Sequence, residues 1–383
     1  MGGDIFEILI NALKMILIFL FMVQLVPLLV WLERRGAGFI QDRLGPNRVG
    51  PLGLTQLLAD AVKFLMKEEF APAKAVRFMF YGAPVVALIP AVLAFCAIPL
   101  GPKFQIASVE FFGRSWGPYT FALQGYDLNV GIVFVLGASS LAVYSILMAG
   151  WGSNNKYSLL GAIRASSQVI SYELALGLAI VGVLLIYGTF NFHDMIEAQQ
   201  GALQFNFRGQ LIHIAFLPNW GIFFQPVGAL LVLSAAFAES NRLPFDLPEG
   251  EAELVAGFHT EYSGLKMNLF FIGEYGHMMV ASGLFVTFFL GGYLIPGVQP
   301  EQVLVTMQSL FGQTNLAAVL TTLAHFLVFF LKMFSLLWIF IQVRWSLPRF
   351  RFDQLMDLGW KTMLPWALGN LIVTAIVMYI AKG

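Results

Sequence analysis

The sequence predicts an all-α polytopic membrane protein. Of its 383 residues, 58% are hydrophobic and only 11% are charged, whereas soluble domains are about 25% charged. The hydrophobic residues form continuous runs, and several runs reach the roughly 20 residues that a membrane-spanning helix needs. We therefore predict about eight transmembrane helices in a single transmembrane domain that covers residues 1–383.

The first predicted span covers residues 5–32 and should be tilted. Its 28 residues would extend about 42 Å at 1.5 Å per residue, which exceeds the roughly 30 Å hydrocarbon core. The span ends in Glu33-Arg34-Arg35 and has no small-residue cleavage motif. We therefore interpret it as a retained span and not as a signal peptide.

Residues 54–67, in the loop that follows, are predicted to form a short amphipathic helix. Apolar residues recur there at the i, i+3, i+4, i+7 spacing, with Asp60, Lys63 and Lys67 elsewhere on the helix. Such a helix either lies at the membrane surface or packs as an ordinary loop helix. The remaining spans are predicted at about residues 78–100, 130–150, 166–187, 222–238, 269–295, 317–343 and 363–380.

Basic residues predict how the chain crosses the membrane. Sixteen of the 22 Lys and Arg residues fall in the loops after the odd-numbered spans, and loops rich in these residues face the cytoplasm. We therefore expect a multi-pass protein of the bacterial inner membrane with both termini on the outer, periplasmic side. The net charge is zero, and nothing in the sequence indicates binding to nucleic acid.

The chain carries no recognisable cofactor site. Cys96 is the single cysteine, whereas an iron–sulfur cluster needs several thiolates. The five histidines show no metal-ligand spacing, and no glycine-rich nucleotide-binding motif is present. We expect no cofactor on this chain, so any redox chemistry must come from partner subunits.

One stretch, residues 239–275, joins two apolar runs and carries seven of the 22 acidic residues. Apolar residues such as Phe245, Leu254 and Phe258 lie between the acids, which is unusual for a solvated loop. We interpret the stretch as a partly buried acidic path that leads into the membrane; an ordinary surface loop is the alternative. The seven acids are Glu239, Asp246, Glu249, Glu251, Glu253, Glu261 and Glu274.

Ionisable residues inside predicted spans are costly and usually functional. Three acids, Glu173, Glu239 and Glu274, face a single intramembrane lysine, Lys332, which leaves a surplus of acids. A set of neighbouring acids that carry protons at rest can pass protons along. Arg242 shares a helix face with Glu239 if that helix continues, and it would then keep Glu239 ionised. Structural ion pairs are the alternative interpretation for each residue.

A second charged cluster follows the first and seventh spans. Glu33 and Arg34 form a close pair at the end of the first span, beside the amphipathic helix. This arrangement suits the mouth of a channel for a lipid-like substrate. Positive-inside anchoring of the chain is the plainer interpretation, and we adopt it for Arg48 and Arg344.

Four long motifs lie in the loops that are predicted to face the cytoplasm. They are ERRGAGFIQDRLGPNRVGPLGLTQLLADAVKFLMKE (33–68), GWGSNNKYSLLGAIRASSQVISYELALGL (150–178), ESNRLPFDLPEGEAELVAGFHTEYSG (239–264) and SLPRFRFDQLMDLGWK (346–361). Through these motifs the chain resembles the H-subunit family of proton-translocating NADH:quinone oxidoreductase, respiratory complex I. The resemblance covers nearly the whole chain.

The resemblance implies a non-redox membrane subunit of a respiratory-chain translocase. Such a subunit would form the access tunnel for ubiquinone or menaquinone, and a carboxylate path that couples quinone reduction to proton translocation. It would lie in membrane lipid between two kinds of partner. The peripheral-arm subunits would hold FMN, the iron–sulfur clusters and the quinone-reduction site, and the antiporter-like subunits of the membrane arm would pump protons.

The resemblance also implies which residues carry these roles. The tunnel positions are Glu33, Arg34, Arg43, Asp60, Phe64 and Arg349. The path positions are Asp246, Glu249, Glu251, Glu253 and Glu261 in the loop and Glu239, Glu274 and Glu173 in the membrane. We add Arg242 and Lys332 to the path because they are the basic residues predicted nearest to the membrane acids.

Three alternatives stay open at this point. The membrane subunit of a related hydrogenase-type complex shares several span acids but needs no quinone tunnel, so the intact 33–48 segment argues against it. An independent secondary transporter usually shows inverted repeats, and we find no internal repeat. A structural anchor without chemistry would not need acids within its spans.

Overall fold

The computed structural model describes residues 2–106, 109–111, 114–116, 119–207, 210–246, 255–312 and 315–382. Most of these residues are helical, and seven of the described helices are long and apolar enough to cross a membrane. The prediction of an all-α polytopic membrane protein is therefore confirmed.

We number the described helices α1 to α14 along the chain. The candidate spans are α1, α3, α4 with α5, α6, α10, α12, and α13 continued through a π-helical turn (Leu358–Met363) into α14. The bounds are α1 Gly2–Ile40, α2 Gln56–Met66, α3 Arg77–Ala97, α4 Gly131–Ser140, α5 Ala142–Gly152, α6 Lys156–Tyr187, α7 Phe192–Glu197, α8 Gly221–Phe224, α9 Pro226–Glu239, α10 Gly264–Phe289, α11 Pro300–Phe311, α12 Asn315–Ser346, α13 Phe352–Asp357 and α14 Leu364–Lys382.

Three antiparallel strand pairs lie in loops that were predicted to face outward. β1 pairs with β4, β2 with β3, and β5 with β6. The sequence analysis predicts no strand in these loops. The bounds are β1 Phe104–Ile106, β2 Val109–Phe111, β3 Arg114–Trp116, β4 Tyr119–Phe121, β5 Ala202–Phe207 and β6 Gln210–Pro218.

α1 is longer than predicted. It continues through the Glu33-Arg34-Arg35 run to Ile40, since glutamate and arginine are good helix formers. Its 39 residues extend about 58 Å at 1.5 Å per residue, well beyond the roughly 30 Å hydrocarbon core. A tilt, or an extension beyond the bilayer, accommodates such a length. As a result, the charged run stays on the helix and its side chains point in fixed directions.

The predicted fifth span, residues 222–238, is not one long helix. α8 ends at Phe224 and α9 starts at Pro226, because proline is well tolerated at the first helical position. Gln225 between them is non-helical, with φ −133° and ψ 59°. The 14 residues of α9 rise about 21 Å, which is less than the roughly 30 Å core. By length, the described helices therefore give seven candidate spans and not eight.

α10 is the most buried of the candidate spans, and two of its glycines let it approach other helices closely. A Cβ on Gly273 would lie 3.0 Å from the carbonyl oxygen of Ala87 on α3. A Cβ on Gly276 would lie 3.0 Å from the Cβ of Ala91 on α3, and it would also meet Met22 of α1. Small residues that allow backbones to approach are typical of helix packing in membranes. This packing fixes α10 in the middle of the molecule.

Candidate functional site: two cavities separated by one helix

Two cavities share α10 as a wall. The large cavity has a volume of about 830 Å³ and is lined by parts of α1, α2 and α10. The small cavity has a volume of about 40 Å³ and is lined by parts of α3, α4, α5, α6, α9 and α10. Glu274 lines the small cavity, whereas its neighbour Tyr275 lines the large one. One turn of α10 therefore separates the two spaces.

The lining of the large cavity changes from apolar to charged along α1. It includes Val23 and Val30 in the apolar part and Glu33 and Arg34 in the charged part. Between Val23 and Arg34, α1 rises about 16 Å. Apolar residues of the amphipathic helix α2 complete the lining, namely Leu57, Leu58, Ala61 and Phe64. The cavity is thus elongated, with an apolar length and a charged end.

Glu33 is the centre of the charged end. The Arg344 guanidinium forms an ion pair with Glu33 Oε1, and the Arg242 guanidinium lies 3.5 Å from Glu33 Oε2. The Tyr275 hydroxyl donates a hydrogen bond of 2.6 Å to the same Oε2. Glu33 is only 7% exposed, and a buried carboxylate is tolerated when it is paired and hydrogen-bonded in this way. The cluster ties α1, α10 and α12 together.

Arg34 points elsewhere. Its Nη1 lies 2.5 Å from Asp60 Oδ2, and Gln56 Nε2 donates to Asp60 Oδ1 at 3.1 Å. These contacts fasten α1 to the amphipathic helix α2. Glu33 and Arg34 therefore do not pair with each other as predicted, because successive side chains on a helix point about 100° apart. Each finds its partner on a different element.

Arg242 does not pair with Glu239, which corrects the sequence-based prediction. α9 ends at Glu239, so the helical spacing of three residues on which the prediction depended is lost. The Arg242 guanidinium instead lies over the Tyr275 ring, 4.0 Å from its centroid, and near Glu33. Burial opposes its charge, but Tyr275, Glu33 and Glu274 outweigh burial and raise the pKa of Arg242 above its ordinary value. Arg242 thus belongs to the large cavity.

The small cavity brings two of the predicted membrane acids together. Glu239 at the end of α9 and Glu274 on α10 both line it, as does His277, one turn further along α10. A water molecule needs about 10–15 Å³ of such volume, so the cavity has room for roughly three waters. Glu173 on α6 accepts a hydrogen bond from the Ser140 hydroxyl and interacts electrostatically with Glu239. The three predicted membrane acids therefore lie close to one another.

Lys332 does not offset these acids, contrary to the expectation from the sequence. Its Nζ donates to the carbonyl oxygens of Leu290, Gly292 and Leu294 at 2.7, 3.0 and 2.7 Å. These carbonyls follow the end of α10, where backbone acceptors lack helical partners. Lys332 therefore caps α10, and its described contacts do not connect it to Glu173, Glu239 or Glu274. The surplus of acids is larger than predicted.

Comparison with known proteins identifies the family. The family model described as NADH dehydrogenase matches residues 13–375. The chain belongs to the NADH dehydrogenase family. The resemblance inferred from the four motifs is thus confirmed, and the match covers both cavities.

Several relatives align with nearly the full chain. An NADH-quinone oxidoreductase H subunit of Bdellovibrio bacteriovorus is 66% identical over 100% of this chain and 99% of its own length. One of the numbered H subunits of Geobacter sulfurreducens is 43% identical over 99% of both chains. The H subunit of Salinibacter ruber is 42% identical over 97% of this chain and 98% of its own.

The tunnel positions implied by the family resemblance fall into two groups in the structure. Glu33, Arg34, Asp60 and Phe64 all line the large cavity. Arg43 instead lines a basic surface pocket of about 620 Å³, together with Arg34 and Arg48. Arg349 donates to the backbone carbonyl of Asp246, so its contact is with the start of the acidic loop.

Of the loop acids in the family's carboxylate path, two have described surroundings. The Asp246 carbonyl accepts the bond from Arg349, and Glu261 Oε1 accepts a 2.7 Å hydrogen bond from Asn155 Nδ2. Glu249, Glu251 and Glu253 lie outside the described residues. Their part in the path stays a prediction.

Sequence reasoning missed several residues of the large cavity. Arg344 was interpreted as a positive-inside anchor, and Tyr275 and His259 were given no role, yet all three line the cavity. Arg344 could have been suspected from Glu33, because a buried carboxylate at a helix end requires a cationic partner. Tyr275 and His259 gave no comparable signal, since their neighbours along the chain, Glu274 and Phe258, line the other cavity.

Proposed function

We propose that this chain forms the quinone access tunnel of a proton-translocating NADH:quinone oxidoreductase and couples quinone reduction to proton transfer. The observation that carries the proposal is the large cavity. It passes from an apolar lining to a charged end over about 16 Å of α1. A quinone has the same division, with an apolar isoprenoid tail and a polar head that accepts hydrogen bonds.

The size and the donors of the cavity support a quinone. Its volume of about 830 Å³ is within the roughly 300–1,000 Å³ that is typical of ligand sites. Arg344, Arg242 and Tyr275 supply hydrogen-bond donors at the charged end, and such donors suit carbonyl oxygens. Phe64 and the leucines of α2 would lie beside the tail. Quinone would thus enter from the membrane between α1 and α2.

Proton coupling is assigned to the membrane acids. Glu274, Glu239 and Glu173 lie near one another around a cavity with room for about three waters. Carboxyls and waters in such a row can pass protons. Charge or proton deficit created by quinone reduction would change the protonation of these acids, and the change would pass along the row to antiporter-like partner subunits.

The proposal also assigns partners and a location. The charged end of the large cavity would meet the peripheral-arm subunits that carry FMN and the iron–sulfur clusters, and no cofactor would be held by this chain. The complex would lie in the bacterial inner membrane, in contact with lipid, with both termini of this chain outside. Its reaction would make the complex a translocase, in which this chain is a non-redox subunit.

Glutamine variants of the membrane acids test the proposal. Glu239→Gln and Glu173→Gln should each slow NADH-dependent quinone reduction and proton pumping in membrane vesicles by about tenfold or more, because a proton carrier is lost. Glu301→Gln, on the exposed part of α11, is the matched control and should leave both rates unchanged. Assembly is checked by the yield of the intact complex from mild detergent.

Two results would contradict the proposal. Normal quinone reduction and normal pumping in both glutamine variants would remove the acids from the mechanism. An isolated complex that evolves hydrogen and does not reduce quinone would favour the hydrogenase-type alternative.

A further inference from the structure

One polar pair crosses the wall between the two cavities. His259 lines the large cavity, and Glu274 lines the small cavity. His259 Nε2 lies 3.8 Å from Glu274 Oε1. Among the ion pairs of the described residues, this is the one whose two members line different cavities.

Aromatic rings surround this crossing. The His259 ring centroid lies 3.9 Å from that of Phe258, 5.3 Å from Phe270 and 6.2 Å from Phe271. Phe258 and Phe270 line the small cavity, whereas Phe271 lines the large one. An apolar wall of this kind excludes water and opposes the passage of a charge. A proton that moves between the cavities is therefore directed to the His259–Glu274 pair.

The segment that carries His259 is held rigidly. His259 is 3% exposed and lies in a short 3₁₀ helix, Gly257–His259. Gly161 of α6 packs against that helix so closely that a Cβ there would lie 2.7 Å from Gly257 Cα. The ring is thus positioned by its backbone and by the aromatic side chains around it.

Two charged groups face Glu274 from the large-cavity side, and their chemistry differs. Arg242 lines the large cavity and interacts electrostatically with Glu274. A guanidinium keeps its protons in proteins and cannot relay one. An imidazole both accepts and releases a proton near neutral pH. Of these two groups, His259 is therefore the one with the chemistry of a relay.

We propose that His259 is the proton connection between the large cavity and the acids around the small cavity. The inference rests on the proposed function and names the residue through which its two halves communicate. A protonated Glu274 gives its proton to His259 Nε2, and His259 Nδ1 then releases its proton to water or to an acceptor in the large cavity. Glu274 regains a proton from the small cavity, and a turn of the ring restores the first tautomer.

The observed separation makes the connection switchable. A hydrogen bond between nitrogen and oxygen is about 2.7–3.2 Å long, so the 3.8 Å distance has to shorten, or a water has to bridge it. A movement of less than about 1 Å in α10 or in residues 257–259 would be enough. Quinone in the large cavity lies against both elements, so its presence can open or close the connection.

A matched pair of variants in the intact complex tests the proposal. Glutamine and glutamate have the same shape, but only glutamate carries a proton. His259→Gln should lower kcat for quinone about tenfold or more, because a proton carrier is lost, with KM changed by less than twofold. His259→Glu should recover at least a third of the lost rate. NADH oxidation with ferricyanide, which bypasses the quinone cavity, should stay normal in both.

Two outcomes would overturn the proposal. One is a wild-type quinone rate in His259→Gln. The other is an equal loss in the glutamine and glutamate variants, which would indicate that His259 acts through its shape. His325→Gln is the control for the loss of a buried histidine, since His325 binds the Tyr293 carbonyl at 2.9 Å away from both linings. Its rate should be normal.

A double-variant cycle supplies a second readout that does not depend on one variant alone. If His259 and Glu274 act in series, the double variant His259→Gln with Glu274→Gln should be no slower than the slower single variant. Losses that multiply would overturn the inference. A normal rate in His259→Gln beside a slow Glu239→Gln would reject only this inference, whereas normal rates in Glu239→Gln and Glu173→Gln would reject the proposed function itself.

Discussion

Glu33 is the residue on which the charged end of the large cavity depends. One carboxylate holds two guanidinium groups and a phenol hydroxyl, which come from three separate parts of the chain. Removing one partner of a buried pair leaves the other group short of compensation. The partners therefore have to be tested individually.

Arg344→Gln should destabilise the protein. The free energy cost should be about 1–3 kcal/mol, because Glu33 loses its closest cation but keeps Arg242 and Tyr275. Quinone reduction should slow as well, since a donor at the charged end is lost. The measurements are the melting temperature of the detergent-solubilised complex, which should fall, and the quinone KM, which should rise.

Arg351→Gln is the matched control for Arg344→Gln. Arg351 is an arginine of the same inside loop, but its pair with Asp353 is exposed, with 71% and 68% of the two side chains accessible. Exposed pairs contribute little to stability. If Arg351→Gln lowers the melting temperature as much as Arg344→Gln, the pairing of Glu33 with Arg344 is not what stabilises this region.

At the scale of elements, α6 positions the loop that follows α9. Gly161 lies against the backbone of Gly257 and Phe258, where no side chain fits. Gly161→Ala should therefore displace residues 257–259, at a cost of about 1–3 kcal/mol for overpacking. The His259–Glu274 distance would change with it. We expect a lower melting temperature and slower quinone reduction, measured on the purified complex.

A second glycine of the same helix provides the control. A Cβ on Gly177 would meet nothing within 4 Å, and alanine is favoured over glycine in a helix by about 1 kcal/mol. Gly177→Ala should therefore be neutral or slightly stabilising. A loss of activity in Gly177→Ala equal to that in Gly161→Ala would show that α6 tolerates no alanine, irrespective of the contact with residues 257–259.

At the scale of the whole molecule, α8 and α9 decide the topology. Seven crossings place the two termini on opposite sides of the membrane, whereas eight place them on the same side. α9 alone is too short to cross, but residues 221–239 together would rise about 28 Å, which is close to the roughly 30 Å core. The excess of Lys and Arg in alternate loops favours eight crossings.

Reporter fusions measure this topology directly. If α8 and α9 together cross the membrane, then positions 188 and 383 lie on the same, outer side. Alkaline phosphatase, which is active only outside the cytoplasm, should be active at both fusion points, and a fusion after residue 154 should be inactive. Phosphatase activity at 188 without activity at 383 would reject the eighth crossing and the predicted orientation.

Much of the site was predictable because its residues follow local rules. Glu33 and Arg34 end an apolar run, α2 shows its periodicity, and the membrane acids stand out among apolar neighbours. The pairings were not predictable. Arg242 was assigned to Glu239 on the assumption of a continuous helix, and Lys332 to the acids on charge alone. The end of α9 and the free carbonyls after α10 redirected both side chains.

The sequence by itself determined the class of protein, the approximate spans, the surface helix, the family and the set of membrane acids. These features depend on composition and on spacing along the chain, which are local properties. The tertiary structure alone decided that α10 divides two cavities, that Arg344 and Arg242 share Glu33, and that His259 faces Glu274. Such contacts join residues that are distant in sequence, so they arise only when the helices pack.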